Sequence, residues 1–433
     1  MTRRYFGTDG VRGVVGEFLT PELVERLGRA AVIWSGAATV FVGRDTRGSG
    51  PELEDALARG AASAGANVVL GGVLPTPAVA LAGADLGIVI SASHNPPEYN
   101  GVKFSDRDGH KLPDAAEEQI EALLGAPVPG GLTGTITHRD GESSAAYIDY
   151  VIEKFGSDLT GLRVVVDCAH GAYAGLAPEA FARLGATVKA IGDAPDGTNI
   201  NSGCGATALE ALQAAVVEHG FDLGIAFDGD GDRVIAVDEL GNVVDGDRLI
   251  ALMALDLRSR GVLDCDTVVV TSMTNLGFHR AMQRHGVNVV TTEVGDRAVL
   301  VAMEEGGFVL GGEQSGHIIN LRHATTGDGI LAAVLLLDIV RRSGKSLAEL
   351  AATVMQRMPQ LLRNVRVANK PADVEALLGA ELVHERKLLG ADGRIVVRVS
   401  GTEPVVRIMV EAASTEIAEA TADRLEQLLV ARA

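Results

Sequence analysis

Cysteine is scarce in this chain, with three in 433 residues. Cys168, Cys204 and Cys265 stand singly and are odd in number, which excludes a disulfide framework and a paired-cysteine metal site. A reducing, cytoplasmic compartment is the expectation. Positive charge is also in short supply. Lys and Arg total 38 against 57 Asp and Glu, a formal net charge of -19. Such a surface repels a phosphate backbone or an anionic bilayer, so neither nucleic acid nor membrane is expected as a partner. A small phosphorylated ligand stays admissible, because it needs only a local cluster of arginines. No apolar stretch follows the charged start Met1-Thr2-Arg3-Arg4-Tyr5-Phe6-Gly7, so no signal peptide is expected. The longest apolar run, Ile330 to Leu337, stops at Asp338, far short of a bilayer span. Low-complexity segments and short-period repeats are missing too.

What is present is a folded-protein composition, 47% hydrophobic and 22% charged. The length suggests roughly three or four compact units. Strand-like and helix-like segments alternate, which points to parallel sheets with helices on both faces. In the first cycle Thr20-Pro21 starts a helix running towards Ser35, followed by the strand Thr39–Val42, the helix Pro51–Ala64 and the strands Asn67–Leu70 and Leu86–Ile90. A second cycle contains the strands Arg163–Asp167, Thr187–Ile191 and Leu223–Phe227. A third contains Thr267–Thr271, Val287–Thr291 and Phe308–Leu310, then a long apolar helix from about Gly329 to Arg342. The tail changes character. Its strands Arg394–Val399 and Val405–Ala412 and the helix Thr415–Leu429 read as α+β. Linkers are expected at Gly125–Gly134, around Glu239–Gly246 and at Met358-Pro359, which divides the chain into 1–138, 139–240, 241–357 and 358–433.

In open sheets, ligands gather beyond the carboxyl ends of strands, and four polar segments are placed to meet one. The first is Ser91-Ala92-Ser93-His94-Asn95-Pro96, after the strand Leu86–Ile90. It reads as a serine nucleophile on a tight turn or as an ordinary turn of Ser, Asn and Pro. It is no esterase elbow, since Ser91 and Asn95 stand where flanking glycines belong. The second is Asp228-Gly229-Asp230-Gly231-Asp232-Arg233. Carboxylates at alternate positions of an extended loop project to one side, and their hard oxygens suit Mg²⁺. A calcium EF-hand fails here, because Arg233 occupies the position that needs glycine and the flanks are strands.

The third segment, Gly311-Gly312-Glu313-Gln314-Ser315-Gly316-His317, offers donors and acceptors for sugar hydroxyls, or is a polar turn. In the fourth, Arg398-Val399-Ser400-Gly401-Thr402-Glu403-Pro404 followed by Arg407, backbone N–H groups, hydroxyls and two arginines make an anion nest on a turn between strands. Gly344-Lys345-Ser346 imitates the end of a nucleotide P-loop, but Ile339 replaces the required glycine.

These four segments, in this order and spacing, resemble the α-D-phosphohexomutase family over essentially the whole chain. The opening Tyr5-Phe6-Gly7-Thr8-Asp9-Gly10-Val11-Arg12-Gly13 and the Gly-Glu-Gln-Ser-Gly-His loop look most like its bacterial phosphoglucosamine mutase branch. Pro97-Glu98-Tyr99-Asn100-Gly101 is nearer the broader phosphomannomutase and phosphoglucomutase pattern. The resemblance implies three related αβ domains with mixed sheets and a mobile C-terminal α+β domain around a central cleft. It implies phosphorylation of Ser93, one Mg²⁺ held by the Ser93 phosphate with Asp228, Asp230 and Asp232, and sugar hydroxyls held by Glu313 and Ser315. Arg398, Ser400, Gly401, Thr402 and Arg407 would grip the phosphate that is not reacting. Arg12, His94 and Lys103 would lie near the transferring phosphoryl group, with Lys103 the candidate for proton transfer. Arg233 would add charge there, and His317 would assist.

The implied reaction interconverts glucosamine 6-phosphate and glucosamine 1-phosphate through a bound 1,6-bisphosphate, supplying amino-sugar precursors for cell-wall synthesis. Two alternatives stay open: a glucose or mannose phosphate mutase of the same family, and a non-catalytic sugar-phosphate binding protein. Asp228-Gly229-Asp230 also resembles the aspartyl-phosphate motif of haloacid-dehalogenase-like phosphotransferases, although Asp232 departs from it. The phosphosugar is the expected partner, and a homodimer is the base-rate expectation for a soluble enzyme.

Overall fold

A computed structural model describes residues 4–7, 9–131, 133–399 and 404–432, the side chain of residue 155 excepted. The described residues form four sheets of six, five, four and three strands in sequence order. The first helix, Pro21–Ser35, shows why these segments fold locally. Thr20 caps it by accepting from the Leu23 N–H, proline sits at its start, and Gly36 closes it in a left-handed conformation. Its buried stripe, Leu23, Val24, Leu27, Ala30 and Ala31, packs on the helix Gly50–Ser63.

The strands Leu86–Ile90, Arg163–Asp167, Thr187–Ile191, Leu223–Phe227, Thr267–Thr271 and Arg394–Val399 have the predicted bounds. Others move by a few residues: Thr39–Arg44 and Asn67–Val73 run longer, and Asn288–Thr292 and Leu310–Gly312 start later. The expectation of parallel sheets needs a larger correction. In the first sheet the central strands pair in parallel, but Tyr99–Asp106 runs antiparallel between Leu86–Ile90 and Val11–Val14. In the second, Val234–Asp238 returns antiparallel to Leu223–Phe227; in the third, Ile318–Asn320 returns antiparallel to Leu310–Gly312.

The physical reason is the same in all three. Each functional loop is short and turns the chain straight back into the sheet, whereas a parallel partner would need a long crossover. The sheets are therefore mixed, as the family resemblance implies. Within the expected linker Glu239–Gly246, Val243–Val244 forms a further antiparallel strand, and a helix begins at Gly246.

The helix Gly329–Ser343 is apolar nearly all round and buries ten residues. It packs against the helices Asp140–Phe155 and Gly246–Ser259 and the strands Val234–Asp238 and Ile318–Asn320. The cores of the second and third units thereby merge into one cluster, which also takes in Leu74, Ala78, Val79 and Val89, while the rest of the first unit and the tail keep cores of their own. The P-loop imitation is the junction after this helix. Gly344 closes it with φ 64, and Ser346 opens the next helix through a capping box with Glu349.

The tail sheet is wholly antiparallel, with Val405–Glu411 central between Gln360–Arg366 and Arg394–Val399. It meets the third unit through polar contacts. Asn275 brackets Met358, donating to its carbonyl at 3.0 Å and accepting from its N–H at 2.9 Å. Buried Glu411 accepts from the Leu276 N–H at 3.0 Å and pairs with Arg394. Cys168 and Cys204 are buried free thiols, and Cys265 is exposed. Among the described residues no helix is long and apolar enough to cross a membrane.

Candidate active site

The fully buried strand Leu86–Ile90 delivers the chain to Ser93, whose φ is 52°. A residue with a Cβ adopts that left-handed state at a cost of roughly 1–2 kcal/mol, so the surroundings must hold it. The Ser93 N–H donates to Ser91 Oγ at 2.9 Å, and Ser91 Oγ donates to Asp45 Oδ2 at 2.5 Å. Beneath the turn lies Arg47, completely buried. Its guanidinium donates to the carbonyls of Ser93 at 2.9 Å, Asn95 at 2.8 Å and Tyr99 at 2.8 Å, and to that of Pro96. It also pairs with Asp45 at 2.9 Å. From the second unit Asn201 Nδ2 donates to the Ser93 and Asn95 carbonyls at 2.9 and 3.0 Å.

The second unit brings its aspartate loop against this turn. Ser93 Oγ donates to Asp228 Oδ2 at 2.5 Å and lies 3.3 Å from His94 Nδ1. The two loops meet at Gly229, where a Cβ would sit 2.6 Å from the Ser93 carbonyl oxygen. Only glycine fits. Ligand atoms of Asp228, Asp230 and Asp232 lie within 4.8 Å of one another, and all three residues are buried. At an effective dielectric near 20, each pair of charges at that range repels by about 3–4 kcal/mol.

Burial pushes the Asp228 carboxyl well above the usual range, and Asp232 and Asp230 add to the effect. Burial acts in the same sense on Asp230 and Asp232, and Asp232 adds to it at Asp230, but the cations together hold both low: Lys103 and Arg12 at Asp230, and Lys103, His317 and Arg233 at Asp232. Asp230 Oδ1 and Asp232 Oδ1 are buried with no hydrogen-bond partner. Converging hard oxygens, two of them orphaned, fit a divalent cation.

Cations surround the trio. Lys103, on the strand Tyr99–Asp106, reaches Asp230 Oδ2 at 2.6 Å and Asp232 Oδ2 at 3.6 Å. Arg12, on the strand Val11–Val14 and opposite Gly101, pairs with Asp9. Arg233 lies 3.7 Å from Asp232 Oδ1, and its N–H donates to Asp228 Oδ1 at 3.2 Å. His94 is pushed down to about 4 by burial, then by Arg233 and Arg12, so it is neutral near pH 7.

The third unit is zipped to the aspartate loop. Arg233 and His317 form an antiparallel bridge, and the Val234 N–H donates to the Gly316 carbonyl at 3.0 Å. His317 Nε2 accepts from the Gly327 N–H at 3.1 Å, so Nδ1 carries the proton and faces Asp232 Oδ2 at 3.7 Å. Half-buried Glu313 accepts from the Gly295 N–H at 3.2 Å, and Ser315 is exposed. Glu313 lies within electrostatic reach of both Arg233 and Arg398.

In the tail, Arg398 and Arg407 stand directly opposite on paired strands. Like charges so placed destabilise a sheet. Burial and the facing Arg407 lower the proton affinity of Arg398. An anion between the two would relieve the strain. Ser400, Gly401 and Thr402 lie outside the described residues.

The structure thus gathers Ser93, His94, Lys103, Arg12, Asp228, Asp230, Asp232, Arg233 and His317 in one place. Glu313 and Ser315 sit on the adjoining loop, and Arg398 and Arg407 face each other on the tail sheet. Sequence reading missed the supporting residues Asp45, Arg47, Thr76, Asn201 and Lys111. Thr76 donates to Asp230 Oδ2 at 2.7 Å. A signal existed for one pair: Asp45 and Arg47 follow directly on the strand Thr39–Arg44, at the carboxyl end where ligands gather.

Four family models match the chain: phosphoglucomutase/phosphomannomutase alpha/beta/alpha domains I, II and III over residues 3–127, 145–241 and 245–358, and the C-terminal domain over 362–428. Phosphoglucosamine mutase of Thermobifida fusca is 52% identical over 441 residues, covering 98% of each chain. That of Saccharopolyspora erythraea is 50% identical over 441 residues, covering 99% of each. Among solved structures, a phosphoglucomutase/phosphomannomutase family protein from Burkholderia thailandensis superimposes with a TM-score of 0.84 at 27% identity, covering 99% of this chain and 97% of its own. An Aspergillus fumigatus N-acetylphosphoglucosamine mutase, solved with GlcNAc-6P and magnesium, shares the fold with a TM-score of 0.73 at 20% identity, over 100% of this chain and 96% of its own.

Proposed function

The chain belongs to the phosphoglucomutase/phosphomannomutase family, and from that premise we propose that it interconverts glucosamine 6-phosphate and glucosamine 1-phosphate through a phosphorylated Ser93. The observation that carries this reading is the 2.5 Å contact of Ser93 Oγ with Asp228, at the edge of a buried trio of carboxylates. The choice of amino sugar rests on relatives named phosphoglucosamine mutase at 50–52% identity over nearly the whole chain.

The phosphoryl group leaves Ser93 Oγ for the free 1-hydroxyl of glucosamine 6-phosphate. The P–Oγ bond breaks, a P–O1 bond forms, and the hydroxyl proton is transferred with Lys103 as the candidate, which must enter the step as its neutral amine to accept it. The resulting 1,6-bisphosphate turns over in the cleft and returns its 6-phosphoryl group to Ser93, leaving glucosamine 1-phosphate. Asp228, Asp230, Asp232 and the Ser93 phosphate would hold one Mg²⁺, which when bound neutralises charge on the transferring group. Arg12, Arg233 and neutral His94 line the phosphoryl path, where fixed positive charge matters more than covalent chemistry. Glu313 and Ser315 hold sugar hydroxyls, assisted by His317. Arg398 and Arg407, with Ser400, Gly401 and Thr402, grip the distal phosphate whichever end of the sugar it occupies.

The units divide this work: 1–138 carries the serine, 139–240 the metal trio, 241–357 the sugar loop and 358–433 the mobile phosphate clamp. Closing the clamp excludes water, which would otherwise hydrolyse the phosphoserine. The test is Ser93→Ala, assayed with glucosamine, glucose and mannose phosphates, Mg²⁺ and a trace of bisphosphate primer. Turnover should vanish, and intact mass should show one added phosphoryl group on the parent that hydroxylamine does not remove. Near-normal turnover by Ser93→Ala sinks the mechanism. A preference for glucose or mannose phosphate sinks only the substrate.

A further inference from the structure

Three carboxylates meet the Lys103 ammonium among the described residues: Asp230, Asp232 and Asp9, the last at 3.4 Å. Asp230 and Asp232 belong to the trio suited to a cation. Asp9 is the acidic partner of Lys103 left over when those two turn to a metal, and it pairs with Arg12 through the same Oδ2 that faces Lys103. Its other oxygen, Oδ1, pairs with Lys111. Lys111 in turn reaches across to Asp296 of the third unit at 3.2 Å.

The Lys111 side chain is only 16% exposed, so this is no freely solvated surface pair of negligible effect. Asp296 opens the helix Asp296–Gly306, and the residue before it, Gly295, donates its N–H to Glu313 Oε1 at 3.2 Å. A cavity lined by Asp9, Lys103, Lys111, Asp296 and His317 lies along this path. The seam is fastened further by Arg297, which donates to the Leu112 carbonyl and pairs with Asp114 and Glu117.

We infer that Lys111 is a positioning residue: held between Asp9 and Asp296, it fixes Asp9 and through it the cations Lys103 and Arg12, in register with the loop that carries Glu313. The inference rests on the mutase reading above. A carboxylate pulled from one side by two catalytic cations needs a counterweight on the other, or it swings toward them and takes them out of line. Misplacement by about 1 Å can cost catalysis a hundredfold.

The test uses the full chain with primer and Mg²⁺. Lys111→Met keeps length and loses charge, Lys111→Arg keeps charge, and Asp296→Asn removes the anchor in the third unit. Lys111→Met should lower kcat about tenfold or more, with KM within twofold and unchanged phosphorylation of Ser93. Lys111→Arg should recover most of the loss, and Asp296→Asn should lose kcat in the same sense but less. Lys111→Met turning over within twofold of the parent overturns the inference. So does a loss carried by KM alone, or a Lys111→Arg variant as impaired as Lys111→Met. Should Lys111→Met not fold, Asp296→Asn decides alone, and parental kcat in it overturns the inference. A parent protein without mutase turnover removes instead the reading on which the inference stands.

Discussion

Replacing Arg47 by Met should damage the Ser93 turn and the stability of the first unit together. The Arg47 guanidinium satisfies four carbonyls and one carboxylate in a site with no access to water. Asn201 still serves the carbonyls of Ser93 and Asn95 in the variant, and the Tyr99 N–H still serves that of Pro96, which leaves the Tyr99 carbonyl to lose its Arg47 donor. A hydrogen bond to a charged group contributes about 1.5–3 kcal/mol. Stranding the buried Asp45 charge costs about 3–5 kcal/mol. These terms overlap, so a total on the order of 5 kcal/mol is expected, against a whole-domain stability of about 5–15 kcal/mol.

The single tryptophan supplies the assay. Trp34 lies on the helix Pro21–Ser35 and donates to Gln119 at 2.7 Å, so its fluorescence during urea unfolding reports on the first unit alone. That matters because a chain of several units need not unfold in one step. Burial already pushes the Asp45 carboxyl up, and Arg47 opposes it; without Arg47 the upward push is stronger. A carboxyl whose folded value exceeds its unfolded value of about 3.9 holds its proton more tightly when folded, so stability falls as pH rises through that window. The deficit of Arg47→Met should therefore be smaller at pH 5 than at pH 8. The double variant Asp45→Asn/Arg47→Met, which strands no charge, should be less destabilised than the single and less pH-dependent. A single variant within 1 kcal/mol of the parent, or one equal to the double at both pH values, refutes the reasoning.

Two further outcomes are expected. At Gly246, a Cβ would lie 2.2 Å from the Glu313 carbonyl oxygen and 2.8 Å from that of Gln314, so Gly246→Ala must displace the loop that carries Glu313. KM should rise about tenfold while Ser93 phosphorylation in the same sample is untouched, and an unchanged KM would count against Glu313 as a sugar contact. Asp247 sits at the junction of the third unit with the tail, accepting from the Asn275 N–H at 2.8 Å and from Gln314 at 3.2 Å. Burial, with Asp245 nearby, pushes it up to about 7. The destabilisation accumulates between about pH 4 and pH 7 and is complete above that, with a ceiling of about 4 kcal/mol. Asp247→Asn should raise the calorimetric unfolding midpoint more at pH 8 than at pH 5, and an equal shift at both would show that the charge is not the cause.

The first-unit sheet shows where legibility ended. Leu86–Ile90 could be read because its apolar run is buried on both faces and bounded by polar loops. Tyr99–Asp106 could not. Its residues Asn100, Gly101, Lys103 and Ser105 have little intrinsic strand preference, and they are held in place by two neighbouring strands. Lys103 therefore entered the site by family resemblance, with no element of its own. The aspartate loop was legible because its three carboxylates are adjacent in the chain, so their crowding needs no folding to be foreseen. The sugar loop and the tail turn could be located but not oriented.

By itself the sequence determined the local matters: which runs become buried strands, where helices are capped, and that Asp228, Asp230 and Asp232 converge. Tertiary structure alone decided what surrounds Ser93. Arg47 meets the carbonyls of Ser93 to Tyr99 from about fifty positions away, Asn201 arrives from the second unit, and Lys111 binds Asp9 on one side and Asp296 on the other. A charged side chain's preference for solvent is local and can be read from its type. Which buried partner replaces that solvent depends on how distant segments come to pack, and no spacing along the chain records it.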